Sequence, residues 1–197
     1  MRHLKNYTTW LSMIDNPQIQ KLKSIFSDKF LVFDANQIVE NDFDANGNPF
    51  TMKREIVGEP TSMEHAVFRI DPKEVNIFPY FAETKNLNKF CDFILFAETN
   101  ADFLILLIEM KRHSGSPEKQ LKLSESFIDF VLQRAKQIDI DIEKNIIIRK
   151  LGIKDSRISQ KVTTKFYKDF HFNKDNYSLE LGGRQIRLKL IMEAPVY

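Results

Sequence analysis

A single cysteine, Cys91, excludes an intrachain disulfide and a zinc centre of four cysteines from one chain. The four histidines, His3, His65, His113 and His171, share no short ligand spacing, so zinc has no basis in the sequence. The longest continuous apolar run, Phe103 to Ile108, falls far short of the roughly 20 residues that span a bilayer. The start, Met1 to Asn6, leads into Tyr7 to Leu11 with no apolar stretch of signal-peptide length, so a cytoplasmic location and no membrane partner are expected. Charge of one sign is missing too: 29 Lys and Arg stand against 27 Asp and Glu. That balance does not mark a nucleic-acid binder, which is recognised by a local basic face more than by its total charge. A glycine-rich nucleotide loop is also absent, since Leu181-Gly182-Gly183-Arg184 has the form of a turn and no phosphate-binding helix is expected after it.

What is present is the material of a core. Of the 197 residues 43% are hydrophobic and 17 are Phe, enough for one domain spanning 1–197. Residues 1–60 read as an N-terminal extension, and about 61–150 as the central α/β unit. Leu11, Ile14, Ile19, Leu22 and Ile25 recur at helical intervals interrupted by Pro17, which predicts two short helices, and Phe30 to Phe33 is expected as a strand. Ala45-Asn46-Gly47-Asn48-Pro49 is a turn, followed by an exposed strand from Phe50 to Val57; His65 to Ile70 has partial alternation.

The middle of the chain carries the strongest pattern. Phe93 to Phe96 and Phe103 to Met110 are apolar runs joined by the polar turn Ala97 to Asp102, which predicts a hairpin. Both alternating sets of the second strand are apolar, so it belongs in the middle of a sheet, with helices over at least one face. Ser116-Pro117 opens a helix to about Gln137, with Leu121, Ser124, Ile128, Val131, Leu132 and Ala135 as its buried stripe. Asn145 to Ile148 is the next strand. Tyr177 to Leu181 and Arg184 to Met192 are expected to form a final hairpin at a sheet edge.

The central hairpin gathers charge. If Ala97 lies opposite Leu104, then Asp92 falls opposite Glu109, and the period of two brings Lys111 to the same face. Two carboxylates at the end of a buried strand repel each other and lose hydration, and a divalent cation makes their joint ionisation tolerable. Magnesium suits such an oxygen shell, with manganese as its substitute, and the backbone carbonyl of Met110 is a further candidate ligand. An ammonium at Lys111 orients the attacking water and offsets charge building on a phosphate, so the implied chemistry is phosphodiester hydrolysis. The plain alternative is a frayed strand end, with Glu109-Met110-Lys111 and Asp92 as its exposed polar residues.

The pattern Asp92, sixteen residues, then Glu109-Met110-Lys111, with Cys91-Asp92-Phe93-Ile94 and Ile105 to Ile108 leading the two strands, resembles the core of the PD-(D/E)XK nuclease superfamily. The resemblance covers about Lys85 to Ile148. It implies a restriction endonuclease-like fold, a mixed central sheet flanked by helices in the order α-β-β-β-α-β. It also implies Asp92 and Glu109 as metal ligands and Lys111 as the catalytic lysine of a magnesium-dependent deoxyribonuclease. Phe90-Cys91 precedes Asp92 where the pattern has a proline. For the acidic residue that the family often draws from its first core helix, Glu64 and Glu83 are the candidates, and Gln120 is similar to a glutamine that some branches carry after the lysine. Arg112, Lys119, Arg149, Lys150, Lys154, Arg157 and Lys161 are candidate nucleic-acid contacts. DNA is the expected partner, with RNA, a homodimer and a partner protein left open. The competing expectation is a catalytically inactive nuclease-like fold that binds nucleic acid or protein. Cys91 is expected to be apolar filler pointing away from Asp92.

Overall fold

The computed structural model describes residues 18–43, 46–58, 63–70, 89–111, 116–154, 171–181 and 185–197. Their elements run α1 (Gln18–Lys23), a 3-10 turn (Asp28–Phe30), β1 (Gln37–Phe43), β2 (Pro49–Val57), β3 (His65–Arg69), β4 (Phe93–Glu98) and β5 (Asp102–Lys111). Then follow α2 (Glu118–Gln137), β6 (Asn145–Lys154), β7 (Tyr177–Leu181), β8 (Gln185–Arg187) and α3 (Leu188–Glu193). The molecule is a mixed α/β protein with two mixed sheets. Five strands lie in the order β3-β4-β5-β6-β7, and three in the order β1-β2-β8.

Strand β5 is the axis of the larger sheet because it has no polar face to offer water. Its residues from Phe103 to Met110 are all buried, and each large aliphatic side chain so removed from water contributes about 1.5–3 kcal/mol. Phe103, Ile105 and Leu107 pack with Ile94, Phe96, Leu121 and Ile128 under α1 and α2. Leu104, Leu106, Ile108 and Met110 pack the other way, against Ile38, Met52, Ile56, Ile186 and Leu188 of the smaller sheet and α3. One face is therefore covered by helices and the other by a sheet.

The hairpin register is the predicted one: Ala97 pairs with Leu104 and Phe93 with Ile108. From β5 the chain crosses over through α2 and returns as β6, parallel and in register from Asp102–Asn145 to Lys111–Lys154. Helix α2 covers the expected span, and Ser116 Oγ accepts the Glu118 N–H at 3.3 Å. The predicted stripe faces inward, with Leu121, Ser124, Ile128, Val131 and Ala135 buried. After the helix Asp139 takes a left-handed conformation (φ 61°) that ends it.

Four expectations are corrected. Phe30 to Phe33 is not a strand: Phe30 closes the 3-10 turn and Leu31 makes only an isolated bridge to Phe68. Strand β2 is half buried, since Met52, Arg54 and Ile56 turn inward while their neighbours face out. It pairs with β1 around Asn46-Gly47, where Gly47 takes φ 77°, a conformation easy only for glycine. Strand β6 runs on to Lys154 and is not confined to its β-branched start. Finally, β7 and β8 form no hairpin: β7 runs parallel to β6, and β8 runs parallel to β2 in the other sheet. The alternation at Ile186 and Leu188 gives way to the helical spacing of Leu188 and Ile191, both buried. Residues 37–57, expected within an extension, supply Ile38, Met52 and Ile56 to the core between the sheets. Among the described residues no helix is long and apolar enough to cross a membrane.

Candidate metal and phosphate site

The carboxyl end of β5 is where the larger sheet changes character. Glu109 is the one acid in the otherwise apolar run from Phe103 to Met110, and it is fully buried. Its parity sets it on the helix side with Phe103, Ile105 and Leu107. Lys111, two residues on, shares that side and forms an ion pair with Glu109 Oε1, its own side chain remaining 34% exposed. The pair thus joins a buried carboxylate to an ammonium at the rim.

Asp92 arrives from the neighbouring strand by a different local logic. The ladder of β4 starts at Phe93, and just before it the backbone is drawn toward α2. Gln120 Nε2 donates to the Phe90 carbonyl at 3.1 Å, and the Cys91 N–H donates to Ser124 Oγ at 2.7 Å. Ser124 in turn donates to the Gln120 carbonyl at 2.8 Å. Cys91 thereby leaves the ladder for the helix-side core. The position it vacates beside β5 is taken by the Asp92 carboxylate, whose Oδ2 accepts the Met110 N–H at 2.6 Å. In an extended strand the N–H and C=O of one residue point to the same edge, so the Met110 carbonyl faces the Asp92 edge as well.

The electrostatics follow from this crowding. Burial, and next the charge of Glu109, push the Asp92 carboxyl up to about 8. The Met110 N–H and Lys111 act in the opposite direction, and Glu40 adds to the rise. Two acids so close that one opposes the ionisation of the other, backed by a backbone carbonyl and offering only oxygen, suit a hard divalent cation. Asp92, Glu109 and the Met110 carbonyl are the groups able to hold it. Among the described residues no cluster of three or more His, Cys, Asp or Glu side chains is gathered for a metal. Any cation here would therefore draw much of its shell from water or substrate.

The sequence reading overlooked Glu40. It lies in β1 of the smaller sheet, 8% exposed, and receives Arg69 Nη2 at 2.8 Å. An acid on an otherwise ordinary strand carries no signal of its own. Only the packing of one sheet on the other brings it within electrostatic reach of Asp92.

The remaining candidates separate by position. Glu64 stands opposite Glu98 at the far end of the hairpin, where Glu98 N–H donates to its carbonyl and Gln20 Nε2 to its carboxylate. Six residues of strand between Asp92 and Glu98 amount to about 20 Å, so Glu64 does not share a cation with Asp92. Glu83, Arg112, Arg157 and Lys161 lie outside the described residues. Gln120 does not aim at the carboxylates but holds the Phe90 carbonyl. Lys119 is exposed on the first turn of α2.

The basic run divides. Arg149 is turned toward the smaller sheet, where it donates to Asn176 Oδ1 at 2.5 Å and the Ala194 carbonyl at 3.2 Å over the Phe172 ring. Lys150 is 4% exposed and pairs with Glu125 of α2 at 2.6 Å. Both are committed to internal partners, contrary to a solvent-facing phosphate contact. Lys154, at the end of β6, is only partly buried.

Compared with known proteins, the chain matches no family model, no curated protein and no solved structure.

Proposed function

We propose that the protein is a magnesium-dependent nuclease of the PD-(D/E)XK kind that hydrolyses phosphodiester bonds in DNA, with Asp92, Glu109 and Lys111 as its working residues. The observation that carries this reading is the fully buried Glu109, ion-paired to Lys111 and electrostatically coupled to Asp92 across the hairpin. A buried acid near the end of an aliphatic strand costs stability unless it is paired or coordinates a cation. The order of the larger sheet supports the same reading: an antiparallel meander β3-β4-β5, then α2, then parallel β6. The acids also sit at the end of the sheet where parallel β5 and β6 finish, the usual side for ligands in such sheets.

A cation bound by the two carboxylates would supply Lewis-acid polarisation of the phosphoryl group. The chain's own part is positional. The Met110 N–H and the α2 clamp fix Asp92, and the core around Glu109 keeps its carboxylate from turning to bulk water. The Lys111 ammonium, at the rim, orients the attacking water and offsets charge gathering on the phosphate. Water adds to phosphorus and gives up a proton to solvent, the bond to the departing sugar oxygen breaks, and that oxygen takes a proton from solvent and leaves as a hydroxyl.

A second reading, an inactive fold that binds without cutting, is favoured by the internal ties of the same groups, Lys111 to Glu109 and Asp92 to Met110. Linear, circular and single-stranded DNA, and RNA, incubated with and without magnesium or manganese, separate the two. Cleavage that needs the cation and disappears in Glu109→Ala and Lys111→Ala supports the nuclease. Binding without cleavage leaves the second reading, and the absence of both removes the nuclease and leaves the second reading only as a protein-binding fold.

A further inference from the structure

Strands β5 and β6 run parallel and in register, and their final partners are Lys111 and Lys154. Paired residues of neighbouring strands point to the same face at a spacing of about 4.8 Å. The face is the helix side: Leu151 and Ile153 pack between the sheets, while Lys150 reaches Glu125 of α2. The carboxyl edge of the sheet thus carries two ammonium groups side by side. Like charges directly across a ladder destabilise it, and Glu109 offsets only one of them.

Next to Glu109 the partner on β6 is Gly152. Gly152 carries no side chain at that level and is itself buried. Two residues inward Lys150 is held by Glu125, and two residues outward Lys154 lies beside Lys111. Among the described residues Lys154 has no ion-pair partner, in contrast to Lys150.

We infer that Lys154 is a second phosphate-binding residue, which with Lys111 holds a nucleic-acid phosphate at the carboxyl ends of β5 and β6, one step beyond Glu109. This rests on the nuclease reading for the identity of the anion and deepens it by naming the cation that grips the strand. Lys111 serves the reacting phosphate and Lys154 binds the substrate, so loss of Lys154 weakens binding more than turnover.

The test is fluorescence anisotropy with a labelled DNA oligonucleotide, single-stranded and duplex, over a series of salt concentrations, with calcium in place of magnesium to hold back cleavage. Losing one phosphate contact lowers the salt slope by about one and raises Kd about five- to tenfold near 0.1 M salt. Lys154→Ala is expected to show both changes with its melting temperature preserved, and Lys154→Arg to bind as the unaltered protein does. An unchanged Kd and salt slope in Lys154→Ala would overturn the inference. So would an arginine variant as weak as the alanine one, which would mean packing and not charge, and so would an unaltered protein that binds no oligonucleotide. If that protein binds DNA but never cuts it, the nuclease reading fails while the Kd of Lys154→Ala still decides the role of Lys154.

Discussion

The Asp92 carboxylate accepts the Met110 backbone N–H at 2.6 Å, so a side chain occupies a ladder position that the backbone of Cys91 has left. The arrangement fixes an acid beside Glu109 without adding a residue to either strand. It also costs something, because Glu109 is fully buried and Asp92 partly so.

That cost has a pH signature. In an unfolded chain an aspartate titrates near about 3.9, whereas in the folded protein burial and Glu109 raise Asp92 to about 8. Between those values the unfolded state has released a proton that the folded state keeps. Stability of the metal-free protein therefore falls as pH rises through this window and levels off above it. Thermal melts from pH 4 to 9 in a chelator should show this fall, and Asp92→Asn should flatten it. Magnesium should raise the melting temperature most at the alkaline end, since it binds the ionised pair in the folded state. A slope identical in Asp92→Asn would rule Asp92 out as its source.

The clamp from α2 can be cut separately. Gln120→Ala removes the donor to the Phe90 carbonyl, and Ser124→Ala removes the acceptor for the buried Cys91 N–H. The first is expected to cost about 1 kcal/mol and the second about 1–3 kcal/mol, because the second leaves a buried donor unsatisfied. On the nuclease reading both lower kcat, by up to about 100-fold for a shift of about 1 Å at Asp92, with KM for DNA little changed. Denaturant melts and steady-state kinetics check the two halves, and a KM rise at constant kcat would contradict a positioning role.

Lys150 serves as a control for Lys154. Lys150→Met breaks the ion pair with Glu125, whose side chain is 31% exposed, and is expected to destabilise by about 1–3 kcal/mol. The double variant Lys150→Met/Glu125→Leu should recover most of that loss. Oligonucleotide Kd should stay the same in Lys150→Met, and a Kd that weakens as it does in Lys154→Ala would mean that the buried lysine reaches the substrate after all.

Cys91 is expected to be inert while the protein is folded. Burial pushes its thiol well above the ordinary range, with Glu109 and Asp92 adding to the rise against the hydrogen bond from Ser124. Thiolate is the reactive form, so a thiol reagent at pH 8 should label Cys91 only as fast as the protein opens. Labelling as rapid as that of a denatured sample would refute the buried placement.

Much of this molecule follows from the order of its residues. Apolar character on both faces of Phe103 to Met110 demanded a central strand. The turn from Ala97 to Asp102 set a register that brings Asp92 to the level of Glu109, and the stripe from Leu121 to Ala135 gave α2 its span and its face. These are local rules, a period of two or of 3.6 and a short turn, so they are written in neighbouring residues. Tertiary structure alone decided the rest. Lys154 gains its meaning from the parallel register with Lys111, which depends on a crossover of over thirty residues. Glu40 reaches Asp92 only because a second sheet packs on the first, and Arg149 and Lys150, alike in sequence to any surface run, are drawn inward by Asn176, Ala194 and Glu125. Contacts between distant segments depend on which faces meet when the layers close, and no local period encodes that choice.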